Sequence, residues 1–125
     1  MIDVLQGRSH TTAASGLLLG TAAIHMAAFR EHYEVAPYIG VLFLLLALAS
    51  VTLAVAVSAG SRTAWDLGAL LSISAIIAYV LARTTGLPDY HESDWFDFMG
   101  AVPVGLLSVS VESAFVIVWM VRREH

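Results

Sequence analysis

The sequence of 125 residues contains no cysteine and no lysine, and its six basic residues are all arginine. Without cysteine the chain cannot form disulfides, thiolate-ligated zinc sites, iron–sulfur clusters or a covalently attached c-type haem. Only 13% of the residues are charged, which is about half the share that is usual in soluble domains. The arginines form no basic patch, so nucleic-acid binding is not expected.

Apolar residues are abundant instead. They make up 58% of the chain, and the mean hydropathy is +0.79. Several runs are long enough to cross a hydrocarbon core of about 30 Å. We therefore predict an all-α, four-span transmembrane helix bundle that forms one domain of residues 1–125. The predicted spans are residues 13–33, 37–59, 65–82 and 95–121, and the expected location is the cell membrane, as a multi-pass protein surrounded by the lipid bilayer.

Proline and glycine mark where the predicted helices begin and end. Pro37 suits the first position of the second helix, and Gly60 suits its C-terminal cap. Gly86 and Pro88 stop the third helix, because glycine adopts the left-handed cap and proline cannot continue a helix. Pro103 is expected to kink the outer part of the fourth helix.

Polar side chains are expected to cap the third and fourth helices. Thr63 and Asp66 fit a capping box, in which each side chain bonds the other residue's free backbone N–H. Ser93 or Asp94 is expected to cap the fourth helix. The aromatic residues expected at the membrane interface there are Trp95, Phe96 and Phe98.

The arginines are distributed unevenly between the two ends of the predicted spans. Arg30 and Arg83 lie at one end. The arginines at the other end are Arg8, Arg62, Arg122 and Arg123. Because basic residues concentrate on the cytoplasmic side, this distribution predicts that both termini face the cytoplasm and that the acidic loop after Arg83 faces outward.

The first predicted helix has two distinct faces. One face is a stripe of small residues, including a GxxxG pair, which permits close contact with another helix. The stripe consists of Ala13, Gly16, Gly20, Ala23 and Ala27. His25 and His32 lie on the opposite face, since residues follow one another at about 100° around a helix.

Two stretches carry a resemblance to a group of known proteins. HMAAFREHYEVAPYIGVLFLLLALAS begins at His25, and LARTTGLP ends at Pro88. Together they resemble small uncharacterised four-helix membrane proteins of actinobacteria. The resemblance covers the first three helices and the following turn, and it implies no activity, cofactor or site residue. Multidrug exporters of similar size differ, because they carry an acidic residue in the first helix where this chain has His25.

Glu112 is an isolated carboxylate inside an otherwise apolar helix, which is energetically expensive in hydrocarbon. Its helical face includes Ala101, Gly105 and Ser108, so we predict that it points into the bundle and holds a proton at neutral pH. Two interpretations are open. Glu112 is either a site that exchanges protons or cations, or a structural hydrogen-bonding group between helices.

His25 lies in the interior of the first predicted span, whereas His32 lies at its end. His25 suits a metal or haem ligand, a proton relay or a hydrogen-bonded packing residue. A fourth helix starting near Phe98 places Glu112 about 20 Å deep, whereas His25 is less than about 10 Å deep. Direct contact between them is therefore not expected within one subunit. A relay would need Ser108, water or a second copy of the chain.

The predicted outer face carries carboxylate and imidazole groups, which suit a divalent cation. The candidate ligands are Glu31, His32, Glu34, His91, Glu92 and Asp94. The sequence leaves the cofactor open, and a divalent metal ion is the candidate for this face. The alternative is a solvated acidic surface that binds nothing.

These features favour a small protein that handles protons or cations, as a channel or transporter subunit. Four short helices enclose little interior, so a homo-oligomer is expected. Two alternatives stay open: a non-catalytic accessory or assembly subunit of a larger membrane complex, and a small membrane metal or redox protein. Sequence motifs for a serine nucleophile, a phosphate-binding loop or a dinucleotide site do not occur, so an enzyme is not favoured.

Overall fold

The computed structural model describes residues 2–124 and the side chains of residues 4–124. Its helices are α1 (Ile2–Val35), α2 (Pro37–Ser58), α3 (Arg62–Arg83) and α4 (Val104–Arg123). All four are long and apolar enough to cross a membrane. The prediction of four such helices is therefore confirmed.

The connection between α1 and α2 is a single extended residue. Ala36 has φ −146° and ψ 100°, because the ring of the following Pro37 disfavours helical conformation in the residue before it. Pro37 occupies the start of α2, as predicted. The two helices then run back along each other closely, and a Cβ atom at Gly40 would lie only 2.5 Å from the Cβ atom of Tyr33. Gly40 therefore permits this close approach.

The α2–α3 connection is a tight glycine turn, as predicted. Gly60 has φ +93°, and its N–H donates to the carbonyl oxygen of Val57 at 3.0 Å. The N–H of Ser61 donates to the carbonyl oxygen of Ala56 at 3.0 Å. These two bonds form a Schellman motif, which satisfies carbonyl groups at the end of α2.

The cap of α3 differs from the prediction. The hydroxyl oxygen of Ser61 accepts from the N–H of Ala64 at 3.1 Å, so α3 begins at residue 62 rather than at residue 65. The predicted capping box of Thr63 and Asp66 is wrong. Asp66 instead accepts a hydrogen bond from the indole Nε1–H of Trp119 at 2.9 Å, which joins the start of α3 to the end of α4.

The fourth helix also begins later than predicted, at Val104 rather than at residue 95. The carboxylate of Asp94 accepts from the backbone N–H groups of Phe96 and Phe98 at 2.9 and 3.4 Å, which makes a turn and not a helix cap. Strands β1 (Phe98–Met99) and β2 (Val102–Pro103) then pair antiparallel. Pro103 lies directly before α4 and does not kink it.

Helix α1 is longer than the predicted span, because it begins at Ile2. Its two faces are also used differently from the expectation. In the stripe of small residues, all members except the half-buried Gly20 are exposed, and Gly16 has no neighbour within 4 Å. The face of His25 and His32 is buried against the other helices. The stripe therefore forms part of the outer surface of the bundle.

The helices surround two apolar regions with polar residues between them. We call the end of the bundle with residues 84–103 the loop end, and the end with the α2–α3 connection the turn end. Helix α1 packs against α2 and α4, and α3 packs against α4 and α2. The larger apolar cluster lies towards the turn end and consists of Ala14, Leu18, Ala54, Val57, Ala64, Trp65, Ala69 and Phe115.

Candidate functional site

Glu112 of α4 and His25 of α1 meet inside the bundle. Glu112 is 1% exposed and His25 is 6% exposed. Oε2 of Glu112 lies 3.9 Å from Nε2 of His25. The inward orientation predicted for Glu112 is thus confirmed, and the expectation that the two side chains lie far apart in one chain is wrong.

The late start of α4 explains this contact. Glu112 is about 12 Å along the axis from the first residue of α4, Val104, at 1.5 Å per residue. His25 is about 15 Å from the last residue of α1, Val35, by the same rise. Both helix ends lie at the loop end, so the two side chains reach a similar depth. The prediction failed because it counted the depth of Glu112 from an earlier helix start.

The hydrogen bonds of His25 define which ring nitrogen faces Glu112. Nδ1 lies 2.8 Å from the carbonyl oxygen of Thr21. Because a carbonyl oxygen only accepts, Nδ1 carries a hydrogen and donates it. In the neutral ring Nε2 then has a free lone pair, and this atom lies 3.5 Å from the hydroxyl oxygen of Ser108. His25 therefore presents a proton acceptor to Ser108 and Glu112.

The carboxyl group of Glu112 is incompletely satisfied. Within the described chain its Oε2 has no hydrogen-bond partner and is inaccessible to solvent. Buried polar atoms of this kind are rare in folded proteins and call for an explanation. An ionised carboxylate without a partner is too costly in such surroundings.

A cavity of about 70 Å³ extends from His25 and Ser108 towards the loop end, and Glu112 does not line it. Its walls include His25, Ser108, Phe43, His32 and Asp97. The space is sufficient for water, and polar groups at both ends supply hydrogen-bond partners. Phe43 packs against both histidine rings, with centroid distances of 4.9 Å to His25 and 4.5 Å to His32.

A cluster of charged side chains lies at the loop end of the cavity. Nε2 of His32 lies 3.1 Å from Oδ2 of Asp97, and Nη2 of Arg83 lies 3.9 Å from the same oxygen. Nδ1 of His32 donates to the carbonyl oxygen of Ala28 at 2.8 Å, so Nε2 is the atom directed at the carboxylate. The guanidinium of Arg83 also stacks on the ring of Tyr79 at 3.8 Å.

Sequence reasoning did not identify Asp97 or Arg83 as parts of this site. The predicted fourth span, residues 95–121, places Asp97 in its first turn, and Arg83 entered the prediction only through the distribution of arginines. No periodic signal marks Asp97, since its position depends on how the loop folds back onto α4. That contact is close: a Cβ atom at Gly105 would lie 2.9 Å from the Cβ atom of Asp97. In the sequence, Gly105 at the start of the apolar run of α4 is the one sign that such a close contact is possible.

The same region contains a possible metal site. One ligand atom each from His32, Glu92 and Asp97 lies within 4.8 Å of the others. Imidazole and carboxylate ligands suit a divalent cation. The positive charge of Arg83 beside Asp97 opposes such binding. Two of the six predicted ligands, His32 and Glu92, therefore come together here with Asp97.

The remaining four predicted ligands lie elsewhere. Glu34 pairs with Arg30 at 3.2 Å. Glu31 is exposed, and Nε2 of His91 faces the carbonyl oxygen of Thr84 at 3.3 Å. Asp94 holds the turn before β1, as described above. The structure thus separates these residues from the candidate metal site.

Two loop residues have altered acidities that match their roles. Hydrogen bonds from backbone N–H groups, that of Phe96 first, lower the pKa of Asp94, so it is ionised at neutral pH and keeps the turn closed. Burial raises the pKa of Tyr90 to about 12, so its phenol is neutral. The Tyr90 ring lies beside His32, at a centroid distance of 6.3 Å.

The largest fully buried side chains on the turn side of Glu112 are apolar. Phe115 is 1% exposed, Trp65 is 2% exposed, and their rings stack at a centroid distance of 5.9 Å. Leu18 of α1 completes this layer. We call these three residues the apolar plug. The polar cavity therefore approaches Glu112 from the loop end, whereas the plug separates Glu112 from the turn end.

No family model matches this chain, and no curated protein or solved structure matches it either. The resemblance to four-helix membrane proteins of actinobacteria stays a prediction. The function is therefore argued from the geometry of the site.

Proposed function

We propose that this chain is a multi-pass membrane protein that handles protons, as a channel or transporter subunit. Glu112 and His25 form its buried exchange site, and Ser108 assists the transfer between them. One observation carries the proposal. The unpartnered Oε2 of Glu112 lies 3.9 Å from Nε2 of His25, and His25 lines a cavity that extends towards the loop end.

The distribution of apolar side chains supports membrane insertion. Large apolar residues on the outer face of α2, such as Leu42, Leu45 and Leu48, are more than half exposed. Soluble proteins rarely expose so large a continuous apolar surface. The ionisable groups of the central region, Glu112 and His25, are buried inside the bundle. Polar side chains inside and apolar side chains outside are typical of membrane bundles.

The ligand set of the inner site favours a proton over a metal cation. Ca²⁺ and Mg²⁺ require about six or more oxygen ligands. The groups around the inner end of the cavity are one carboxyl, one imidazole and one hydroxyl, from Glu112, His25 and Ser108. A carboxyl and an imidazole can each take up and release one proton, so the pair is suited to proton exchange.

Access to this site is one-sided, and that limits the mechanism. Protons reach Glu112 from the loop end through the cavity, past His32 and Asp97. Release to the turn end requires the apolar plug to move or a partner subunit to open a second route. The proposed cycle is therefore alternating access, in which the bundle switches between two conformations. One conformation exposes Glu112 to one side of the membrane, and the other exposes it to the opposite side.

The oligomeric state is part of the proposal. The small-residue stripe of α1 lies on the outer surface, where a helix of another subunit can approach closely. A second copy of this chain fits that surface and would supply the larger interior that transport needs. An accessory subunit of a larger membrane complex would use the same stripe, with Glu112 as a structural group.

Proton flux into liposomes tests the proposal directly. The purified protein is reconstituted with a pH-sensitive dye inside, and a potassium gradient with valinomycin supplies the membrane potential. Glu112→Gln keeps the shape of the side chain but cannot ionise, so flux should fall to the level of empty liposomes. Glu34→Gln, an exposed carboxylate at the loop end, is the matched control and should retain flux. Wild-type flux from Glu112→Gln would leave only the structural interpretation.

A further inference from the structure

A second polar region lies at the turn end, on the other side of the apolar plug. A cavity of about 580 Å³ opens there between the start of α1, the start of α3 and the end of α4. Its walls contain three arginines, one histidine, one glutamine, one glycine and one carboxylate. These residues are Gln6, Gly7, His10, Arg62, Asp66, Arg122 and Arg123. Half of the arginines of the chain are therefore collected around one pocket.

Two of these guanidinium groups are held by aromatic rings. Arg122 lies over the ring of Trp65, with 4.6 Å between the guanidinium carbon and the ring centroid. Arg123 lies over the ring of Trp119 at 5.0 Å. Stacking of this kind orients a guanidinium without neutralising its charge. The arginines are thus partly preorganised for a ligand.

The positive charge of this pocket exceeds the negative charge of its one carboxylate among residues 4–124. Within residues 4–124 none of Arg62, Arg122 and Arg123 forms an ion pair with a carboxylate. The carboxylate of the pocket, Asp66, accepts the hydrogen bond from Trp119. The N-terminus of α3, which begins at Arg62, adds further positive potential. The pocket therefore attracts an anion.

The chemistry of the pocket selects phosphate among common anions. Guanidinium groups bind phosphate oxygens in pairs through a planar fork of N–H donors. Basic pockets between membrane-spanning helices bind anionic lipid headgroups in this way. The helix ends that form the pocket also carry exposed apolar side chains: Val4 and Leu5 on α1 and Met120 on α4 are each more than half exposed. Exposed apolar side chains at these helix ends suit acyl chains better than they suit a freely soluble phosphate.

We propose that this pocket binds the phosphate group of an anionic phospholipid, through Arg62, Arg122 and Arg123. The bound headgroup joins α1, α3 and α4 at the turn end. The inference goes beyond the proton-handling proposal and does not depend on Glu112 or His25. It requires only that the turn end lies at a bilayer surface.

Lipid retention measured by native mass spectrometry tests the assignment. The protein in mild detergent is mixed with equal amounts of phosphatidylglycerol and phosphatidylcholine. We expect retention of phosphatidylglycerol over phosphatidylcholine. Arg62→Gln should reduce this preference about fivefold and the Arg62→Gln, Arg122→Gln double variant about thirty-fold, at about 1 kcal/mol for each arginine. Arg62→Gln leaves both stacked arginines in place, and unchanged thermal unfolding shows that it folds.

Arg30→Gln is the matched control, because Arg30 lies at the loop end and pairs with Glu34. It should leave the preference unchanged. An equal loss in Arg30→Gln means that overall charge governs retention, which overturns the pocket. Equal retention of both lipids by the wild-type protein also overturns the assignment. If millimolar inorganic phosphate displaces phosphatidylglycerol completely, the site is one for soluble phosphate, and the lipid assignment is wrong.

Discussion

Nε2 of His25 and Oε2 of Glu112 lie 3.9 Å apart in the interior of the bundle, on helices from opposite ends of the chain. The Thr21 carbonyl fixes the hydrogen of His25 on Nδ1, so the lone pair of Nε2 faces the carboxyl group. Ser108 lies beside both residues, one helical turn before Glu112. The carboxyl and the imidazole are both shielded from solvent, and their separation suits the proton exchange that we propose.

The role of Ser108 is tested by a pair of serine variants on α4. Ser108→Ala removes the hydroxyl beside Nε2 of His25, and we expect proton flux to fall about fivefold, the value of one hydrogen bond of about 1 kcal/mol. Ser110→Ala is the control, because Ser110 bonds only the carbonyl oxygen of Leu106 on the exposed side of the same helix. Flux in liposomes is the measurement. Equal flux from the two variants contradicts a role for Ser108.

The apolar plug is tested by shortening Phe115. Phe115→Ala leaves a cavity beside Trp65 and should destabilise the protein by about 3–5 kcal/mol. Water can then reach Glu112 from the turn end, so we expect proton leak in liposomes without an alternating cycle. Phe115→Leu retains most of the volume and should leak less. A Phe115→Ala protein that folds, as judged by its helical circular dichroism, and remains proton-tight shows that the plug is not the barrier.

The candidate metal site at the loop end is tested by calorimetry with zinc and manganese. We expect weak binding that is lost in His32→Ala and Asp97→Asn, since these side chains supply neighbouring ligand atoms. His91→Ala is the control, because His91 lies apart and faces Thr84. Loss of binding in His91→Ala alone contradicts this site. Absence of binding in the wild-type protein leaves an ion pair of His32 and Asp97 with no metal.

Membrane orientation is tested with single cysteines in this cysteine-free chain. Ser61→Cys places a thiol at the turn end, and Ser93→Cys places one in the exposed loop. The arginine distribution predicts that an impermeant thiol reagent labels position 93 and not position 61 in intact cells. The reverse labelling pattern shows the opposite orientation, and labelling of both positions shows dual insertion.

Local features of the sequence were sufficient to predict the four helices and several of the positions at which they begin or end. Long apolar runs predicted four helices that are able to cross a membrane, and the structure contains them. Pro37 and Gly60 marked the connections correctly, because their effects on the backbone act on adjacent residues. The inward orientation of Glu112 followed from the small and polar residues on its own face. These properties depend on spacing within one helix.

Which residues come together in the site could be found only from the tertiary structure. Asp97 reaches His32 only because Asp94, Gly100 and Gly105 allow the loop to fold back onto the bundle. That fold delays the start of α4 and brings Glu112 level with His25. The small-residue stripe of α1 is a second example. Its pattern fits an inner or an outer helix face, and only the tertiary structure places it on the outer surface. The sequence alone determined which groups are present and which helix carries each. Their depth and pairing depend on loop closure and helix packing, which join residues that are distant in the chain.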